Sequence, residues 1–189
     1  MDISKRAAKY AFATVLTSLT LGTLATPPPA QAATLTGVIA STITLTGACA
    51  INGSVISAVG SSFGTLDFGI HPTLFTEASA QVNGIASTPM TFQCNSSTAP
   101  TLTVVSGVND SHATNGNTHS MANTLAGKYV SYSLYKDAAH TSVIANGTPF
   151  FTSKNDGSSE TVNIYGKAVG GAGLVPGLYT DIVTVQIDF

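Results

Sequence analysis

The sequence predicts an all-β sandwich, and three observations carry that prediction. Apolar residues recur with period two in runs dominated by Thr, Val, Ile, Tyr and Phe, the composition of half-buried strands. The runs are separated by strong turn formers: Asn52-Gly53, Asn83-Gly84, Asn146-Gly147, Asp156-Gly157 and Pro176-Gly177. Beyond residue 33 no stretch carries the spacing of an amphipathic helix. In order, strands are expected over Leu35 to Thr46, Ser54 to Val59, Thr65 to Phe68, Glu77 to Val82, Met90 to Cys94, Thr101 to Val105, Tyr129 to Tyr135, Thr161 to Tyr165 and Leu178 to Phe189. Many short strands at this spacing form a sandwich, and no fixed period supports a solenoid. Gly107 to Asn123, rich in Asn, Ser, Thr and His, reads as a long polar loop.

The first 32 residues read as a secretory signal peptide. Lys5, Arg6 and Lys9 precede an uncharged run from Tyr10 to Leu24, and three prolines lead to a small-residue cleavage site ending at Ala32. The run is short for a membrane span. The remaining chain, 33–189, has four lysines, no arginine and eight carboxylates, a formal charge of −4. Only 8% of all residues are charged, against about 25% in an ordinary soluble domain. No basic patch survives, which argues against nucleic acid and other polyanions as partners. Cys49 and Cys94 both lie in the exported part, where an oxidising compartment favours pairing, with two free buried thiols as the alternative. A bridge would close a loop of roughly 45 residues, worth about 4 kcal/mol in the chain-entropy picture.

Both ends of the exported chain alternate. Leu35, Gly37, Ile39, Ser41, Ile43 and Leu45 share one face of a mainly aliphatic strand, with Thr36, Val38, Ala40, Thr42 and Thr44 opposite. This strand either pairs inside its own domain or extends away from it. At the other end Val183, Val185, Ile187 and Phe189 share a face, with Ile182, Thr184, Gln186 and Asp188 opposite. The backbone of such a last strand is open to a partner unless internal pairing covers it.

Catalytic patterns are weak. Gly64 to Gly69 lies between strands, without the lysine or glycine spacing of a nucleotide loop. Asp67, Asp137 and Asp181 sit at strand ends, where aspartate caps turns. His112 and His119 share the polar loop without metal-ligand spacing and read, with His71 and His140, as solvated. No Gly-x-Ser-x-Gly elbow occurs. No catalytic, cofactor or metal residue is therefore expected.

A run of motifs then carries a resemblance. The alternating first strand leads into Thr46-Gly47-Ala48-Cys49, followed by Gly64-Thr65-Leu66-Asp67-Phe68-Gly69, Phe92-Gln93-Cys94, Tyr132-Ser133-Leu134-Tyr135-Lys136-Asp137, Ile164-Tyr165-Gly166 and Gly177-Leu178-Tyr179-Thr180-Asp181. In this order the sequence resembles the spore coat protein U domain, the subunit type of archaic (Csu-type) chaperone-usher pili. The resemblance implies an incomplete immunoglobulin-like sandwich over 33–189 that lacks its last strand and is completed by donor-strand exchange. Residues 33–46 would be the donor strand, and Val183, Val185, Ile187 and Phe189 would line the acceptor groove and chaperone rim. The implied partners are a periplasmic chaperone, an outer-membrane usher and neighbouring subunits, in a surface fibre serving attachment and biofilm formation. Such a subunit is no enzyme, and one domain implies a shaft or minor subunit rather than a tip. Burying Leu35, Ile39, Ile43 and Leu45 in a groove would contribute about 6 to 12 kcal/mol before ordering costs. The alternatives are a coat or matrix protein and a secreted carbohydrate-binding sandwich, in which Tyr129, Tyr132, Tyr135, Phe150 and Phe151 stack on sugars.

Overall fold

The computed structural model describes residues 34–56, 61–84 and 88–188, so the expected signal peptide and Phe189 lie outside the described residues. The chain divides after Thr42 into two units. The second is all-β, the class the sequence predicts, with twelve strands in three sheets among the described residues.

The first sheet begins with a hairpin. Asn52 and Gly53 both take positive φ (50° and 77°), the left-handed pair a tight two-residue turn requires, and they join β1 (Ala48–Ile51) to β2 (Ser54–Val55). The Asn52 side chain also accepts the Thr91 amide at 3.0 Å, which holds the turn against β5 (Met90–Asn95). β5 pairs with β1 on one side and with β10 (Asp156–Val162) on the other. Cys49 and Cys94 stand directly opposite in the β1–β5 ladder and form a disulfide.

The second sheet runs β3 (Thr65–Leu66), β4 (Glu77–Asn83), β11 (Tyr165–Val169), β8 (Lys128–Tyr135) and β7 (His119–Asn123). At its centre Gly166 has no side chain because Leu66 and Phe68 pack against its α-carbon. A Cβ there would meet Leu66 Cδ2 at 2.6 Å. The third sheet runs β12 (Val183–Asp188), β6 (Thr101–Gly107) and β9 (Pro149–Thr152). Cys49, Ile51, Met90 and Phe92 from the first sheet, Val130, Tyr132, Leu134 and Ala168 from the second, and Leu102 and Val104 from the third meet in one core.

Several expectations are corrected. Leu35 to Thr46 is not a strand: residues 34–47 have no strand pairing, and their side chains are exposed, Ile39 at 94% and Ile43 at 82%. Alternation supplies a face to bury, but a strand also needs a backbone neighbour. The Gly107 to Asn123 loop contains a short 3-10 turn, Asp110–His112, and all of β7. Its polar residues are held by hydrogen bonds instead of apolar packing. Ser131 Oγ takes the Thr114 amide at 3.0 Å, and Ser133 Oγ takes the Thr118 amide at 3.2 Å. Thr161 to Tyr165 is the end of β10 and the start of β11, joined by Asn163 and Ile164, where the chain changes sheet. Val162 and Ile164 are both buried, so period two continues across the switch and conceals it. Asp156-Gly157 is an irregularity inside β10, with Gly157 at φ 78°, and not a boundary between strands. The last strand starts at Val183 rather than Leu178.

Candidate functional site

β12 pairs with β6 from Val183 opposite Gly107 to Asp188 opposite Thr101. Among the described residues its other edge has no strand neighbour. Val183, Val185 and Ile187 pack against the core yet stay only half-buried, while Thr184, Gln186 and Asp188 are exposed. An edge strand with an apolar inward face and unpaired outer backbone is a template for another strand. Leu35, Ile39, Ile43 and Leu45 are in the complementary condition, apolar and exposed, with Gly37 and Ser41 between them on the same alternation.

The root of β12 is held by polar chemistry. Thr180 pairs with Ala122 of β7 through two backbone hydrogen bonds, at 2.8 and 3.0 Å, and three residues later Val183 pairs with β6. Asp181 lies at the crossing. Its Oδ2 accepts the Tyr132 hydroxyl at 2.9 Å, and its Oδ1 accepts the Asn109 backbone and side-chain amides at 3.2 and 2.9 Å. Beside it, Asp110 accepts the Gly107 amide at 2.7 Å and the Asn146 side chain at 2.9 Å through Oδ2. His119 Nδ1–H donates to Asp110 Oδ1 at 2.8 Å. His119 is completely buried, which corrects its reading as a solvated loop residue, and its Nε2 has no hydrogen-bond partner among the described residues. Burial first, then the neighbouring Asp181 carboxylate, raises the Tyr132 hydroxyl well above its ordinary pKa and keeps it a donor.

Asp110, His119 and Asp181 bring ligand-type atoms within 4.8 Å of one another. Each of the four carboxylate oxygens nevertheless already accepts a hydrogen bond, and Gly107 runs so close beside them that a Cβ there would collide with Asp110 Oδ1 and Asp181 Oδ2. The cluster is built as a clasp. Asp67 and Asp137 are turn caps as expected: Asp67 accepts the Gly69 amide, and Asp137 accepts those of Thr141 and Ser142. Asp181, expected in the same role, is the exception. Tyr132 is in the core, Phe150 and Phe151 pack against it, and Tyr129 stacks on His112 with ring centroids 3.8 Å apart.

The sequence profile of the Spore Coat Protein U domain matches residues 34–186. The chain belongs to the Spore Coat Protein U domain family. The family match takes in both the exposed alternating segment and β12 as far as Gln186. No curated protein sequence matches this family member. Among solved structures it is similar to a chain of the CsuC–CsuE chaperone–tip adhesion subunit pre-assembly complex from archaic chaperone-usher Csu pili of Acinetobacter baumannii, at 18% identity and a TM-score of 0.42. The likeness covers 77% of this chain and 40% of that one, so the Spore Coat Protein U domain protein spans less than half of its neighbour's length.

Proposed function

We propose that the chain is a structural subunit of a chaperone-usher surface pilus, exported, held by a periplasmic chaperone and polymerised at an outer-membrane usher by donor-strand complementation. The observation that carries this reading is a pair of unmet needs in one molecule. Residues 34–46 expose an alternating apolar face, and β12 leaves one backbone edge free above half-buried Val183, Val185 and Ile187. Each need is met by the other element in a second copy, because β-strand addition supplies backbone hydrogen bonds and pockets for alternate side chains together. Leu35, Ile39, Ile43 and Leu45 are the inserting side chains, and Gly37 and Ser41 suit shallow positions on the same face. The role is structural rather than enzymatic, and attachment and biofilm formation follow from the fibre.

The decisive experiment deletes Thr34 to Thr46 from the exported chain and follows assembly by size-exclusion chromatography and negative-stain microscopy. The parent chain is expected to form fibres, and the deletion variant to stay soluble and monomeric with unchanged β-sheet circular dichroism. Fibres from the deletion variant would remove the donor role.

A further inference from the structure

The clasp at the root of β12 joins side chains from two sheets, and its composition is unusual for a structural turn. At Asp181 the chain leaves the β7 edge, where Thr180 is bonded to Ala122, and joins the β6 edge, where Val183 faces Gly107. A carboxylate at this crossing is gripped from both sheets at once, by the Tyr132 hydroxyl from β8 and by both amides of Asn109 just after β6. Tyr132 is itself immobile, 3% exposed and packed edge-on against Phe68 with ring centroids 5.9 Å apart. Hydrogen bonds to a carboxylate are the strong, directional kind, so this grip fixes a direction as well as a position.

β12 is a strand that gains from such a device. It has one strand neighbour among the described residues, its ladder is irregular between Thr184 and Val185, and its inward side chains are only half covered. An edge held this loosely loses conformational freedom when a partner strand docks, and that loss weakens capture unless the edge is ordered beforehand.

We propose that Asp181, gripped by Tyr132 and Asn109, is a positioning residue for strand capture, pre-aligning the free edge of β12 for the incoming segment. This rests on the donor-strand reading above, and Tyr132 and Asn109 act through Asp181 without touching the incoming strand.

The test uses the full exported chain, refolded at a dilution at which it stays monomeric and with an excess of a fluorescein-labelled peptide of residues 34–46, with dissociation followed by fluorescence anisotropy. Tyr132→Phe, which keeps the ring and removes the hydroxyl, is expected to release the peptide about tenfold faster, the scale of one charge-assisted hydrogen bond. Asn109→Ala, which leaves the core untouched, should release it about threefold faster and carries the test if Tyr132→Phe fails to fold. The control is Val162→Ala, a core truncation in the β5–β10 pairing that lowers the melting temperature without touching the clasp. A merely structural clasp predicts that release tracks melting temperature. Val162→Ala loosening the peptide as much as a clasp variant of equal melting temperature, or clasp variants releasing it at the parent rate, overturns the proposal and leaves donor-strand complementation standing. A parent chain that never captures the peptide overturns both.

Discussion

Residues 34–46 and β12 are nearly interchangeable as patterns, yet they have opposite fates. Each alternates, with mainly aliphatic residues along one face and mainly polar or small residues along the other. β12 lies beside β6 and half-buries Val183, Val185 and Ile187, whereas the N-terminal segment has no strand partner and leaves Ile39 and Ile43 in solvent. Alternation specifies which side chains can be buried together, and a backbone neighbour determines whether they are. In the proposed function, a second copy supplies the missing neighbour.

The largest way to sharpen this comparison acts on the anchor that separates the two regions. The segment runs into β1, which is bonded covalently to β5, while β12 has no covalent tie. Replacing Cys49 and Cys94 together by Ser should lower the stability of the sandwich by about 4 kcal/mol, read by urea unfolding, without changing the peptide dissociation rate of the protein that remains folded. A rate change would mean that the bridge shapes the acceptor edge as well. Next, Ile43→Asp should weaken fibres by about 3 kcal/mol through lost burial and an added charge, whereas Thr44→Asp on the opposite face should cost under about 1 kcal/mol. Denaturant midpoints of assembled material measure both, and equal effects would show that the segment does not insert by one face.

The smallest effect concerns pH. Hydrogen bonds from the Thr141 amide, and then from Ser142 and the Thr141 hydroxyl, hold the Asp137 carboxyl below its ordinary value. A depressed carboxylate contributes stability that is present above its unfolded pKa of about 3.9 and is lost as pH falls through the folded value. Asp137→Asn should therefore flatten the decline of melting temperature below about pH 4 by slightly lowering the melting temperature in the neutral range, where the carboxylate's contribution is lost. Because the Asp137 hydrogen bonds go to Thr141 and Ser142 within its own turn, fibre dissociation at neutral pH should not change.

What could be read from the sequence follows the range of the physics involved. The Asn52-Gly53 hairpin was legible because its turn chemistry is local to two residues, β5 because it buries Met90, Phe92 and Cys94 in alternation, and β8 because its apolar residues Val130, Tyr132 and Leu134 alternate with serines, although Val130 to Leu134 are all buried. Thr161 to Tyr165 misled because Val162 and Ile164 stay in phase across a change of sheet. β7 was hidden because His119, Ser120 and Asn123 are buried by partners distant in sequence, among them Asp110 and Val130. For the candidate site, the two alternating faces were visible in the chain, but Asp181 was read as a turn cap. Its partners Tyr132 and Asn109 lie 49 and 72 residues away, and no local pattern announces them.

The disulfide also has a mechanical meaning. A pull on residues 34–46 enters the sandwich through Gly47 and Ala48 and would peel β1 from β5 one hydrogen-bonded pair at a time. Unzipping of this kind resists force poorly, because each pair bears the load alone. At Cys49, the second residue of β1, the advancing tear meets a covalent bond to Cys94. The tension passes there into β5, a strand flanked on both sides by β1 and β10. The load is then shared between two ladders instead of being concentrated at one frayed end.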